Sequence, residues 1–329
     1  MRVVDLESHF YSEEVIQALA ARTEYPYYDD EKKIHYTPDF HATVRPVFYL
    51  QTDEAVQARL ELMDAAGITT QVLGTSQGLE GLDTATSIEC AIATNDMVFH
   101  LTQKYPDNFI GFGVFPVADI DAGIAEMERC KNELGFIGWM AESNFFTSYL
   151  DEPQFLPMLA AAERLKLPIY LHPSPPLISR LSGLGHAMAG GAMGFTVDTA
   201  ITVVRMLFQG VFDQFPNLQV ILGHLGEGLP YSLNRMDRLS RKQQAIINKN
   251  EHEPSYYFLN NIWLTTSGIF SNSTFECAKA NVGIDRILFG SDYPFETMHE
   301  PVNFVKELPL SQSERAMVFY ENFERLFSL

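Results

Sequence analysis

Along the chain, short apolar runs rich in β-branched and aromatic residues alternate with longer segments whose apolar positions recur every three to four residues. Runs of the first kind predict strands over Arg2–Leu6, Thr70–Leu73, Phe109–Val114, Phe136–Met140, Ile169–Leu171, Gln219–Leu222, Ile262–Thr265 and Ile287–Phe289. Most are continuously apolar and bounded by Gly, Pro, Ser or Asp, the pattern of strands covered on both faces. Helical periodicity is clearest over Ala55–Ala66, Ser87–Tyr105, Ile120–Leu134, Glu152–Leu165 and Asp198–Phe215, with Gln312–Phe327 closing the chain. Eight strands, each followed by helical sequence, predict an α/β fold of the closed parallel kind, a (β/α)8 TIM barrel forming one domain over residues 1–329. An open doubly wound sheet would announce a Gly-rich phosphate loop after its first strand, where this chain has Glu7-Ser8-His9.

Two stretches break the alternation. Residues ~20–52, with Tyr25, Tyr27, Tyr28, His35, Tyr36, His41 and Phe48, form an insertion after strand one, and residues ~174–196 form another after strand five. Both leave C-terminal ends of strands, the face on which barrel enzymes carry their active sites. Such aromatics can wall a substrate pocket or pack a small core or subunit contact of their own, and the sequence weighs these equally.

Composition narrows the function. The net charge is −19, with no Lys/Arg-rich run, so a polyanion-binding surface and a nucleic-acid partner are not expected. The three cysteines, Cys90, Cys130 and Cys277, are widely spaced and predict neither a disulfide framework nor a thiolate metal site. No basic segment followed by an apolar stretch opens the sequence, and no uncharged run reaches the ~18–20 apolar residues that span a bilayer. A cytoplasmic, membrane-free protein is the expectation.

The chemistry gathers at strand ends. Glu7 and His9 are two apart on an extended segment and so share a face. His172 ends strand five, before Pro173. After strand six come His224 and, three residues on, Glu227, placed to fix the imidazole tautomer or to favour a helix N-terminus. Strand eight runs out on Asp292, a carboxylate that is costly at the end of a buried strand unless paired or bound to metal. Each feature alone has a structural explanation. Together they put these groups on one mouth of one barrel, which predicts a divalent metal bound by Glu7, His9, His172 and Asp292. An O/N donor set without thiolate suits Mn²⁺, Zn²⁺, Fe²⁺ or Mg²⁺, and strand four offers no lysine for a bridging carbamate, so one ion is expected.

These residues resemble the amidohydrolase superfamily, and within it the non-oxidative hydroxybenzoate decarboxylases, the γ-resorcylate, 2,3-dihydroxybenzoate and 5-carboxyvanillate decarboxylases, with aminocarboxymuconate-semialdehyde decarboxylase more distant. The specific motifs are GHLGEGLPYSLNRMDR (223–238) and SDYPFE (291–296), supported by ESH (7–9) and LHP (171–173). The resemblance implies an amidohydrolase-like barrel with Glu7, His9, His172 and Asp292 as metal ligands, His224 and Glu227 as a catalytic pair, and Asp292 as proton donor. It implies that Arg235 binds substrate, in some members across a subunit interface, and that Phe295 helps wall the ring. It further implies one ion, Mn²⁺ before Zn²⁺ and Mg²⁺, no organic cofactor, a small aromatic carboxylate as substrate, and a homodimer or homotetramer. Two alternatives remain open at this level. One is a metal-dependent hydrolase of an amide, ester or lactone; the other is a non-enzymatic binding barrel, which would hold no tightly bound metal.

Overall fold

The computed structural model describes residues 1–75, 78–145, 147–176, 183, 185–242 and 250–329. Eight parallel strands follow one another around a single sheet in chain order: Val4–Phe10, Thr70–Thr75, Phe109–Gly113, Gly138–Glu142, Ile169–His172, Val220–Leu222, Ile262–Thr265 and Ile287–Leu288. They are called strands one to eight below. The last strand meets the first without a regular ladder. The seam is held by Leu6 N–H donating to Phe289 O (3.0 Å), Asp292 N–H to Glu7 O (2.9 Å) and His9 N–H to Tyr293 O (2.6 Å).

The barrel interior is filled by side chains such as Leu6, Val72, Phe112, Tyr170, Ile221 and Leu288. A larger apolar layer, including Phe10, Met127, Trp139, Leu222 and Phe258, lies between the strands and the surrounding helices. Helix starts carry the expected side-chain caps, with Thr52, Asp83, Asp119 and Ser271 each accepting a backbone N–H in the first turn.

Several boundaries differ from the sequence expectation for identifiable reasons. Strand one reaches Phe10 rather than stopping at Leu6, because Glu7, Ser8 and His9 are wholly buried although polar. Its pairing with strand two shifts register between Asp5 and Ser8. Strand four begins at Gly138, since the Phe136 amide is spent on Cys130 O at the end of the preceding helix. The helical pattern expected over Asp198–Phe215 is a helix over Gly194–Phe208 and a short one over Val211–Gln214, divided at Gly210 with φ +78°.

The first insertion is not irregular. It folds as a three-stranded antiparallel sheet, Tyr27–Asp29, Ile34–Tyr36 and His41–Thr43. Tyr28, Val44 and Phe48 pack it onto Tyr11, Leu19 and Leu79. Of the second insertion, residues 177–182 and 184 lie outside the described residues. The stretch His186–Phe208 is long and apolar enough by composition to cross a membrane, but it is two helices, and Asp198, Thr199 and Thr202 are buried within the second.

Candidate metal centre and active site

Glu7 and His9 project from the same face of strand one, and both are buried. Asp292 follows strand eight in the left-handed region (φ +61°), a costly conformation for a residue with a Cβ. One ligand atom from each of the three falls within 4.8 Å of the others. His9 Nε2 lies 3.4 Å from Asp292 Oδ1 and 4.0 Å from Glu7 Oε1. Glu7 Oε1 and both ring nitrogens of His9 are buried without a hydrogen bond. Buried polar atoms left in this state are costly, and two carboxylates and an imidazole converging in this way fit a hard divalent cation.

The donors are held from behind. Thr265 Oγ donates to Glu7 Oε2 at 2.6 Å and lies 2.9 Å from Ser267 Oγ, which accepts the backbone N–H of His224 at 3.1 Å. Strand seven thus ties the Glu7 carboxylate to the loop of His224. Gly290 leaves room for Glu7, since a Cβ there would stand 2.9 Å from Glu7 Cβ. One layer deeper, Asp5 accepts from Ser291 Oγ (2.6 Å) and Gln71 Nε2 (2.7 Å), while buried Arg59 donates to Gln71 and to His9 O. Burial pushes the Asp5 carboxyl up to about 6 despite the bonds from Ser291 and Gln71.

His172 stands beside this group rather than within its tight cluster. Its ring meets that of His9 edge-on at 4.9 Å, and its Nδ1 lies 3.4 Å from Glu142 Oε2. Such a carboxylate–imidazole contact orients the other ring nitrogen. Burial disfavours the imidazolium, yet the facing Glu142 carboxylate leaves the His172 pKa raised. Glu80 also lines this wall, and burial, reinforced by the charge of Glu142, raises its pKa well above the carboxylate range.

His224 opens an uncommon turn. His224, Leu225, Gly226, Glu227 and Gly228 all have positive φ, between 52° and 83°. Side-chain-bearing residues adopt this region singly, not in series, so the turn is strained and its glycines relieve only part of it. The turn brings His224 Nδ1 to 2.7 Å from Glu227 Oε1 and leaves Nε2 3.8 Å from Asp292 Oδ2. Burial works against charge on His224, but Glu227 and Asp292 hold its pKa well above the ordinary imidazole value. Burial alone would raise Asp292; the facing His224 and His9 rings instead hold it well below the usual range. Asp292 therefore lies between two imidazoles, one oxygen toward each.

His172, His224 and Asp292 line a cavity of about 570 Å³. Phe295 lines it, 5.8 Å from the His9 ring, and Asn144 and Ser174 contribute polar atoms to one wall. No Lys or Arg lines it among the described residues, whereas Glu80, Glu142, Asp292 and Glu296 do. Arg235 is not brought into the site of its own chain; it is exposed on the helix over Leu229–Lys242. Sequence reading passed over Glu142, Thr265 and Ser267. Glu142 ends a strand whose register pairs it with His172, and that pairing is set by the sheet. Thr265-Thr266-Ser267 at the end of strand seven carries the same strand-end signal that marked the other ligands.

Comparison with known proteins places these features in a group. The amidohydrolase family model matches residues 36–329. The γ-resorcylate decarboxylase of Rhizobium sp. (strain MTP-10005) is 36% identical over 289 residues, covering 82% of this chain and 86% of that protein. The crystal structure of 2,6-dihydroxybenzoate decarboxylase from Rhizobium superposes with a TM-score of 0.83 at 31% identity, covering 100% of this chain and 99% of that one. A dihydroxybenzoic acid decarboxylase from Polaromonas sp. JS666, with bound manganese and the inhibitor 2-nitroresorcinol, superposes at 0.86 with 32% identity, covering 100% and 97%. The family match begins after strand one, but the structural likeness takes in the whole chain, including Glu7 and His9.

Proposed function

Because the chain belongs to the amidohydrolase family, we propose that it is a metal-dependent, non-oxidative decarboxylase of a hydroxylated benzoate, a carbon–carbon lyase without an organic cofactor. The observation that carries this reading is the convergence of Asp292 with the unpartnered Glu7 Oε1 and His9 ring nitrogens beside the His224–Glu227 pair. Likeness to named decarboxylases favours loss of CO2 over hydrolysis of an amide, ester or lactone. Glu7, His9 and Asp292, with His172 as fourth ligand, would hold one divalent ion; manganese in the Polaromonas relative supports Mn²⁺ ahead of Zn²⁺. When bound, such an ion would supply positive charge that lowers the pKa of an ortho hydroxyl.

Direct loss of CO2 would leave an aryl anion, so a proton must first reach the carboxyl-bearing ring carbon. Asp292 is assigned as the donor to that carbon. Its carboxylate is held ionised, so it must first take up a proton, and His224, charged and backed by Glu227, is the reservoir beside its Oδ2. Once the carbon is protonated, the C–C bond breaks, its electron pair returns to the ring, and CO2 departs. Phe295 packs against the ring. In this reading the protein is a cytoplasmic homodimer or homotetramer, in which the exposed Arg235 of one copy reaches substrate held by another; the three free cysteines agree with a reducing compartment. The test is to load the purified protein with Mn²⁺ and follow 2,6-dihydroxybenzoate by ultraviolet absorbance and CO2 release. Acid release from a lactone panel without CO2 would overturn the assignment.

A further inference from the structure

The cavity is larger than the reaction needs. A dihydroxybenzoate has about eleven non-hydrogen atoms, and even at the roughly 30 Å³ share of a liquid water each, they fill no more than about 330 Å³. The cavity holds about 570 Å³, and its lining runs from His172, His224 and Asp292 to residues of both insertions. Its outer wall is mainly apolar, with Pro38 and Phe40 from the first insertion and Pro176, Met188, Ala189 and Phe195 from the second, beside the polar Thr37, Asp39 and His186.

The two insertions are joined to each other as well as to the barrel. The Phe40 ring lies 4.4 Å from that of His186 and 5.2 Å from that of Phe195. Gly183 N–H donates to Asp39 Oδ1 at 2.9 Å, and His186 Nε2 lies 2.9 Å from His41 O. Gly190 lets Phe40 approach, since a Cβ there would stand 2.7 Å from its ring. These contacts make the outer wall a built surface. The inner wall has the opposite character: Glu80, Glu142 and Glu296 face the cavity, with no Lys or Arg among the described lining residues. One carboxylate can be balanced at the metal and by Arg235 of a second copy, but a second anionic group elsewhere on the ring would meet Glu142 and Glu296 and, among the described lining residues of this chain, no Lys or Arg.

We propose that the preferred substrate is an ortho-hydroxybenzoate with one anionic group and an apolar extension opposite the carboxylate, seated between the insertions against Phe40, Met188 and Phe195. With the carboxyl-bearing carbon at Asp292, the opposite ring position is the one farthest from Asp292 in the cavity that the insertion residues also line. The proposal rests on the decarboxylase reading above and refines its substrate.

The experiment compares 2,6-dihydroxybenzoate with its 4-methyl, 4-propyl, 4-pentyl and 4-carboxy derivatives on the Mn²⁺-loaded protein. Burying methylenes is worth up to about fourfold each, so kcat/KM is expected to rise at least tenfold from the unsubstituted to the propyl acid and to fall for the 4-carboxy acid. Met188→Trp, folded by circular dichroism, should lower the pentyl-to-unsubstituted ratio of kcat/KM about tenfold. An unsubstituted or 4-carboxy acid that matches or exceeds the alkyl acids overturns the inference and leaves the decarboxylase reading standing. If none of the acids loses CO2, the reaction is wrong, and calorimetric binding of the same series decides the inference alone: affinity rising with chain length supports it, and a flat series ends it.

Discussion

Asp292 has one oxygen 3.4 Å from His9 and the other 3.8 Å from His224, so one carboxylate faces both the metal ligands and the proton reservoir. Asp292→Asn preserves shape but neither holds a cation by charge nor carries the transferred proton. It is expected to keep the wild-type circular dichroism spectrum while losing roughly 10²–10⁴-fold in kcat; near-normal turnover of the folded variant would remove Asp292 from the mechanism. Glu227 acts one step away, through the tautomer and charge of His224. Glu227→Gln should cost about 10–100-fold in activity and leave Mn²⁺ affinity, measured by calorimetry, within a few-fold of wild type. A parallel loss of metal would mean that Glu227 shapes the whole site rather than His224.

Among the elements, the left-handed turn 224–228 depends on its neighbours to stay strained. Gly268 faces it with φ +61°, and a Cβ there would stand 2.5 Å from His224 Cδ2. Gly268→Ala should therefore displace the imidazole, lowering kcat at least tenfold while calorimetry still records normal metal binding; unchanged kcat would show that the ring relocates freely. The small sheet of the first insertion has a different sensitivity. His35 Nε2 is buried without a hydrogen bond, and burial lowers the His35 pKa from 6.5 to about 4. A folded value below the unfolded one means that its neutral form contributes above pH 6.5 and that this contribution is lost as the pH falls toward 4. Protection factors of the amides across residues 27–43, exchange corrected for its intrinsic pH dependence, should accordingly be lower at pH 5 than at pH 7.5, and His35→Phe should remove the difference. The eight barrel strands were legible because continuous apolar runs of this kind have few other uses. This sheet was not, because its strands are three residues each and only half-buried, so no period-2 pattern develops. Among site residues, Glu7, His9, His172, His224 and Asp292 were visible as polar groups at the ends of apolar strands. Glu142 was passed over because its partner is set by the register of strands four and five, a long-range property no local spacing encodes.

At the scale of the whole molecule, an ion held by these ligands would add to the stability of the fold. A ligand that binds only the folded state adds about 2.7 kcal/mol at a hundred times its Kd, so chelation with EDTA should lower Tm by several degrees and added Mn²⁺ should restore it. Glu7→Gln should abolish that shift; a Tm indifferent to metal in the wild type would argue that the donors hold no ion tightly. Arg235, exposed on the 229–242 helix, tests the assembly. Arg235→Ala should raise KM at least tenfold without changing the fold, and mixing it with Asp292→Asn should regain activity only if subunits share sites. The seam between strands one and eight has a further implication. Glu7 and His9 come from the start of the 329-residue chain and Asp292 from near its end, and they meet where the barrel closes on irregular hydrogen bonds alone. During synthesis the first strand leaves the ribosome long before the last, so Glu7, His9 and then His172 wait for Asp292, the second carboxylate of the set, until the eighth strand arrives. Tight metal loading is then a record of completed translation: a nascent chain arrested before Ile287 should hold manganese far more weakly than the full chain, however much of the barrel has already formed.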